Sequence, residues 1–260
     1  MHIATPMAVA GVSDCVFYHS MDLPISGSQE GHWDLRGRFD DYVSRISFGG
    51  RSVLDVGTAS GFLSFEAEKR GAKVVSIDAS TAMHLDRVPF ADSLHALNYA
   101  AWLEKADKYL DDIKRSYWLA HRELKSANRA YYGNVYDLPS ELGTFDVVIV
   151  GQILVHLCDV VRALSSIAAR CKDTLVIAEG MVENPEPVSH WLARAGHPEN
   201  DYSFWHHSTG LYRELLSILG FELQSKESRK YRCNLEGPAD GISITTLVFK
   251  RRQASPEAAT

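Results

Sequence analysis

Short apolar runs rich in β-branched residues alternate with amphipathic stretches through the middle of the chain. Residues 51–57 read as a buried strand ending on a glycine, and 62–70 as a helix stopped by Gly71. Residues 73–78 form a second such run, ending on an acid, and a further strand is expected at 129–132. Residues 145–151 repeat the pattern, followed by a helix over about 159–170 and another strand at 174–180. Strands that are apolar throughout and separated by helices predict a parallel sheet covered on both faces. Near the end of the chain, a helix over 211–219 capped by Gly220 precedes two runs, 221–228 and 242–250, joined through Gly237-Pro238. Two adjacent strands with no helix between them predict an antiparallel edge.

Two stretches break the rhythm. About fifty residues separate Asp78 from the strand at 129, where a crossover needs far fewer. Leu94, Leu97, Ala101, Leu110, Ile113 and Tyr117 recur there at near-helical spacing, which predicts a helical insertion over about 82–126. Residues 79–126 carry seven acids and seven bases, so the insertion is not a basic arm. The second break is 181–207, with Pro185, Pro187 and Pro198 among many aromatics and histidines. A loop of that length reads as a lid or binding loop. The organisation expected is a lead-in over 1–47, one domain over 48–250 and a tail over 251–260.

Composition narrows the function classes. The 260 residues are 45% apolar and 23% charged, ordinary for a globular chain. Lys and Arg number 27 against 33 acids, a net charge of −6, which argues against nucleic acid as a partner. Cys15, Cys158, Cys171 and Cys233 form no CxxC pair and lie beside no metal-spaced histidine, so reduced thiols and no metal are expected. The first residues lack a basic stretch before an apolar one, and no apolar run approaches roughly 18 residues. A cytoplasmic protein with no membrane span is the expectation.

The chemistry is carried by Asp55-Val56-Gly57-Thr58-Ala59-Ser60-Gly61, which follows a strand and opens a helix. Glycines there let the backbone approach a ligand, and the helix start presents free N–H groups. Asp78 ends the next strand, where a carboxylate can accept both hydroxyls of a ribose. The Gly-x-x-x-Gly spacing departs from the dinucleotide fingerprint and suits a ligand with a ribose and no phosphate.

These residues resemble the class I S-adenosylmethionine-dependent methyltransferases over about 48–250. Asp55 to Gly61 looks like their first motif and Asp78 like their ribose-binding acid. Gly133-Asn134-Val135-Tyr136-Asp137-Leu138-Pro139 looks like their adenine-side loop, with Asn134 where Asp is more usual, and 145–151 like their fourth strand. The resemblance implies a Rossmann-like, seven-stranded, mostly parallel sheet with an antiparallel edge strand, and S-adenosylmethionine as cofactor. It implies cofactor contacts from Asp55, Gly57, Thr58, Ala59, Gly61, Asp78, Asn134, Val135, Gly151 and Gln152. The alternative for Asn134 and Asp137 is turn formation.

The lead-in Phe17-Tyr18-His19-Ser20-Met21-Asp22-Leu23-Pro24 and Gly31-His32-Trp33-Asp34-Leu35-Arg36 is similar to that of methyltransferases related to the tRNA wobble-uridine carboxymethyl-transferring family, and of bacterial relatives of them. Those tRNA enzymes also have a basic RNA-binding portion, which this acidic chain lacks, so the likeness supports a shared core and not a shared substrate. Arg36 suits the methionyl carboxylate of the cofactor. Trp33 suits the sulfonium, and Tyr18 the substrate. The other reading is a lead-in packed on the sheet edge.

Methyl transfer needs alignment, exclusion of water and, for an oxygen or nitrogen acceptor, a base. His156, Glu179, His206 and His207 are the candidates, because loops after the strands carry the site in an open α/β sheet. His156 also reads as a core histidine and Glu179 as a loop brace. Trp118, Trp191 and Trp205 are expected at the substrate. The insertion's Trp102, Tyr109, Tyr117 and Trp118 form either an aromatic cap or simply its own core. The expected function is methyl transfer to a small biosynthetic or tailoring acceptor. The rivals are a tRNA-modifying methyl or carboxymethyl transferase, and a protein of this fold with another chemistry or none. The oligomeric state stays open, a homodimer included.

Overall fold

The computed structural model describes residues 3–234 and 240–253; the expected Gly237-Pro238 connection and the tail from 254 onward lie outside the described residues. The lead-in holds a hairpin of β1 (Met21–Leu23) and β2 (Gly27–Gln29), a short strand β3 (Trp33–Asp34) and one helical turn, α1 (Phe39–Tyr42). Then follow β4 (Ser52–Val56), α2 (Phe62–Lys69) and β5 (Lys73–Asp78). The insertion contains α3 (Leu94–Leu97) and α4 (Tyr99–Glu123). Next come β6 (Arg129–Tyr132), β7 (Phe145–Gly151), α5 (Val160–Ala168) and β8 (Cys171–Glu179). A hairpin of β9 (Ser189–Trp191) and β10 (Trp205–His207) leads to α6 (Thr209–Ile218), β11 (Phe221–Cys233) and β12 (Ile242–Arg251).

The main sheet has the order β3-β11-β12-β8-β7-β4-β5-β6. β8, β7, β4, β5 and β6 pair parallel, and β12 runs antiparallel between β8 and β11. The reversed strand therefore sits inside the sheet, because α6 returns β11 in the parallel direction and a direct connection then turns β12 back. The eighth strand is the two-residue β3, which pairs with Arg232 and Cys233 at the outer edge.

Alternation along the strands sorts the two faces. Val53, Val74, Val147 and Val176 pack with α1, α2 and α4, while Leu54, Val75, Val148 and Ile177 pack with α5 and α6. Asp55 and Ser76 share the α2 and α4 face, which places their side chains against Ser64 and Tyr117.

The insertion departs from the expected continuous helix. Asn98 breaks it, with its side chain capping α4 through the Ala101 amide at 3.1 Å. Leu97 is consequently 72% exposed instead of joining a buried stripe. Trp118 and Tyr117 are core residues of α4, with the Trp118 ring edge-on to Tyr117 and His121, which places Trp118 in the packed interior instead of on an open substrate face. The 181–207 stretch is a long loop pinned at the sheet end by a short β9–β10 pairing: the Phe204 amide donates to the Val155 carbonyl at 2.9 Å, and the Val88 amide to the Asp201 carbonyl at 2.7 Å. Among the described residues no helix is long and apolar enough to cross a membrane.

Candidate active site

The loop from β4 to α2 alternates left-handed residues: Gly57 at φ 79°, Ala59 at φ 47° and Gly61 at φ 91°. A side chain on Gly61 would stand 2.5 Å from the Phe65 ring and 2.6 Å from that of Tyr117, so only glycine lets α4 cross this loop closely. Ala59 holds a conformation that non-glycine residues rarely adopt, and the result is an amide that donates to Asp78 Oδ2 at 2.7 Å. The Ala79 amide donates to Asp78 Oδ1, also at 2.7 Å. Asp78 is partly exposed, and each of its oxygens keeps lone pairs for further donors. Burial raises its carboxyl above the usual range, partly offset by these two amides.

Asp55 is fully buried. Its Oδ2 accepts from Thr58 Oγ1 at 2.8 Å and Ser64 Oγ at 2.7 Å, and the hydroxyl chain continues through Ser76 to Tyr117. Its Oδ1 has no partner, and burial pushes the carboxyl up to about 6. An orphaned carboxylate oxygen beside a second acid with lone pairs to spare fits a ligand that carries a cationic end and a ribose. S-adenosylmethionine is such a ligand.

Other expected cofactor residues contribute through the backbone or through packing. Asn134 Oδ1 accepts from the Tyr136 amide at 2.9 Å and so caps its own turn, while Val135 is buried under the sheet. Gly151 ends β7 against Leu63 and Tyr42. Gln152, at φ 54°, ties β7 to β8 through the Gly180 amide, accepted at 3.2 Å.

Arg36 does not serve the cofactor. All five of its N–H donors are spent: two on Asp34, one each on Asp22, Ser28 and Glu30. The lead-in nevertheless reaches the loop, because the His19 amide donates to Ser60 Oγ at 3.0 Å. The Trp33 amide donates to the Tyr18 carbonyl at 3.0 Å, which ties both residues to each other at the sheet's functional end.

The base candidates separate clearly. His156 Nδ1 lies 2.7 Å from the Tyr202 carbonyl, which can only accept, so Nδ1 carries the proton and Nε2 the lone pair. Burial lowers the pKa of His156, keeping it neutral. Glu179 is sealed from solvent, holding the Tyr212 hydroxyl on Oε1 and the Leu154 amide on Oε2 at 3.1 Å. It braces the turn that carries His156 and does not face an acceptor; burial pushes it up to about 7. His207 is equally sealed: Nδ1 bonds Ser189 Oγ at 2.8 Å, Nε2 is buried without a partner, and burial pushes it down to about 4. His206 is half-buried beside Gly180, across the hairpin from His190. Trp205 donates to the Cys158 carbonyl at 3.3 Å, and the partly exposed Trp191 packs edge-on against it.

Sequence reasoning missed the segment Asp86-Arg87-Val88. Asp86 Oδ2 accepts from the Tyr136 hydroxyl and from the Cys158 amide at 2.7 Å, bridging the loops after β6 and β7. Arg87 lies between the rings of Trp102 and Tyr202. Pro89 is the one signal that marks this stretch as non-helical.

A methyltransferase-domain family model matches residues 32–226. A search of curated proteins finds no match. Among solved structures, magnesium protoporphyrin IX methyltransferase from Synechocystis PCC 6803, with bound S-adenosylhomocysteine, superposes with a TM-score of 0.54 at 14% identity, covering 84% of this chain and 82% of that one. The 1,6-didemethyltoxoflavin-N1-methyltransferase of Burkholderia thailandensis gives 0.50 at 13%, covering 84% and 78%. A provisionally assigned RNA methyltransferase of Pyrococcus horikoshii gives 0.51 at 12%, covering 83% and 84%. With the family match spanning the glycine loop, Asp78 and the turn of His156, the chain belongs to the methyltransferase domain family and takes S-adenosylmethionine as its cofactor.

Proposed function

We propose that the protein methylates a small-molecule acceptor held between the insertion, the β9–β10 hairpin and the C-terminal end of the sheet. The observation that carries this reading is the roof itself. Phe204 is bonded to Val155 and Asp201 to Val88, so the hairpin and the insertion meet directly above the turn of His156. A site roofed in this way favours a small molecule over a nucleic acid strand. The basic residues point the same way. Lys226 pairs with Glu183, Lys230 with Asp240 and Lys250 with Asp173, while Arg251 and Arg252 bond backbone carbonyls. With the lysines paired to acids and the arginine donors engaged by carbonyls, these residues make a poor phosphate-binding face. The likeness of the lead-in to tRNA wobble-uridine enzymes then reflects a shared core.

The cofactor supplies an activated, electrophilic methyl group. Asp78 receives ribose hydroxyls on its remaining lone pairs, and Asp55 Oδ1 offers a negative charge to the ligand's cationic end. His156 Nε2 accepts the proton that an oxygen or nitrogen acceptor gives up, and Glu179 fixes the turn from which it does so. The free thiols of Cys15, Cys158, Cys171 and Cys233 agree with a reducing, cytoplasmic setting. The test is methyl-labelled S-adenosylmethionine offered with low-molecular-mass cell extract or with bulk tRNA. Label in the small-molecule fraction is expected; label in tRNA alone overturns the reading.

A further inference from the structure

The Arg87 side chain is only 18% exposed, yet it is poorly satisfied. One of its five N–H donors reaches the Asp86 carbonyl at 3.0 Å. Its Nε lies 3.7 Å from Asp201 Oδ1, an electrostatic contact beyond hydrogen-bonding range. Arg36, by contrast, has spent every donor, and Arg70 grips both Asp40 and Glu66. None of the Arg87 nitrogens is both sealed and unpartnered, so its remaining donors are reachable. Asp201 and Asp86 already place negative charge near the guanidinium, and its reachable N–H donors leave an edge on which the oxygens of a further anion can be received.

Its surroundings say what kind of anion. The guanidinium carbon stands 5.5 Å from the Trp102 ring and 5.9 Å from that of Tyr202. Trp102 is held rigidly by His95 at 4.7 Å and Tyr99 at 5.6 Å. The Tyr202 ring also contacts the His156 imidazole at 5.6 Å, and its carbonyl takes the Nδ1 proton. The Tyr202 ring thus contacts both the guanidinium and the candidate base, which places the two within the span of one small aromatic molecule. The phenols of Tyr18 and Tyr109 lie close enough to that of Tyr202 to interact with it electrostatically.

We propose that the acceptor is an aromatic acid, its carboxylate received by Arg87 and its ring lying among Trp102, Tyr202 and Tyr109, with the methylated atom turned towards His156. A guanidinium edge matches a carboxylate with two parallel hydrogen bonds. The proposal rests on the small-molecule methyltransferase reading above.

The probes are 4-hydroxybenzoate and its uncharged counterpart 4-hydroxybenzamide, titrated calorimetrically into full-length protein loaded with S-adenosylhomocysteine. The benzoate should bind at least tenfold more tightly than the benzamide. Arg87→Gln should remove that preference, and Arg87→Lys, which keeps charge but loses the fork, should retain part of it. S-adenosylhomocysteine affinity measured in the same variants should be unchanged, which shows that they are folded. Equal binding of the two probes, a preference that survives Arg87→Gln, or no benzoate binding at millimolar concentration overturns the proposal. Failure of the wild-type protein to bind S-adenosylhomocysteine would instead overturn the methyltransferase reading, whatever the probes do.

Discussion

Two acids at the β4 and β5 ends do different work because their surroundings differ. Asp78 is partly exposed and holds the Ala59 and Ala79 amides, so its loss removes contacts to a ligand together with two bonds that shape the glycine loop. Asp78→Ala should weaken S-adenosylhomocysteine binding by about 1.5–3 kcal/mol, measured by calorimetry on folded protein. Asp55 is buried with one oxygen unpaired and is pushed up to about 6. A ligand cation beside it favours the ionised form, so below that pH binding must expel a proton. Affinity for S-adenosylhomocysteine should therefore fall as the pH drops through 6, and an affinity flat from pH 5 to 8 would remove Asp55 from the site. Glu179 adds a stability effect of the same kind. Its folded-state pKa, about 7, lies above that of the unfolded chain, so the folded state binds the proton more tightly. That contribution is full in acid, below the unfolded value, and is lost as the pH rises through 7. The thermal midpoint of the ligand-free protein should decline across this range, and Glu179→Gln should flatten the decline.

At the scale of elements, the hairpin and α6 meet at one tight point. A Cβ on Gly210 would lie 2.1 Å from the Pro185 carbonyl oxygen, with backbone and no flexible side chain in the way. Gly210→Ala should therefore displace the root of the hairpin, at a cost of roughly 1–3 kcal/mol in a thermal or denaturant melt, and slow turnover more than it weakens cofactor binding. The elements that were legible in the sequence are those whose signal is local. β4, β5, β7 and β8 are continuous apolar runs, and the glycine loop with its acid lies within one strand–helix–strand unit. What stayed hidden depends on contacts distant in sequence. Arg36 reads as available because three of the four residues that occupy it, Asp22, Ser28 and Glu30, are gathered only by the β1–β2 hairpin. Glu179 and His207 looked reactive because nothing in their neighbours reveals that Tyr212 and Ser189 close over them. No local pattern marks Arg87, because its aromatic neighbours come from α4 and from a hairpin more than a hundred residues away.

For the molecule as a whole, the long strand β11 has a further consequence. β12 covers one side of it throughout, whereas β3 meets the other side only at Arg232 and Cys233. From Phe221 to Tyr231 the outer edge carries no strand partner among the described residues. Such an edge is a template on which another chain can add a strand. Along it, the solvent-facing positions are Glu222, Gln224, Lys226, Ser228 and Lys230, every one polar. Stacking a second strand there would strip water from these groups and pull Lys226 and Lys230 away from Glu183 and Asp240. Charged residues at such an edge disfavour the addition of another strand, and the two lysines are expected to do so here. Replacing both with isoleucine should leave S-adenosylhomocysteine binding intact while light scattering reports concentration-dependent self-association that wild-type protein does not show.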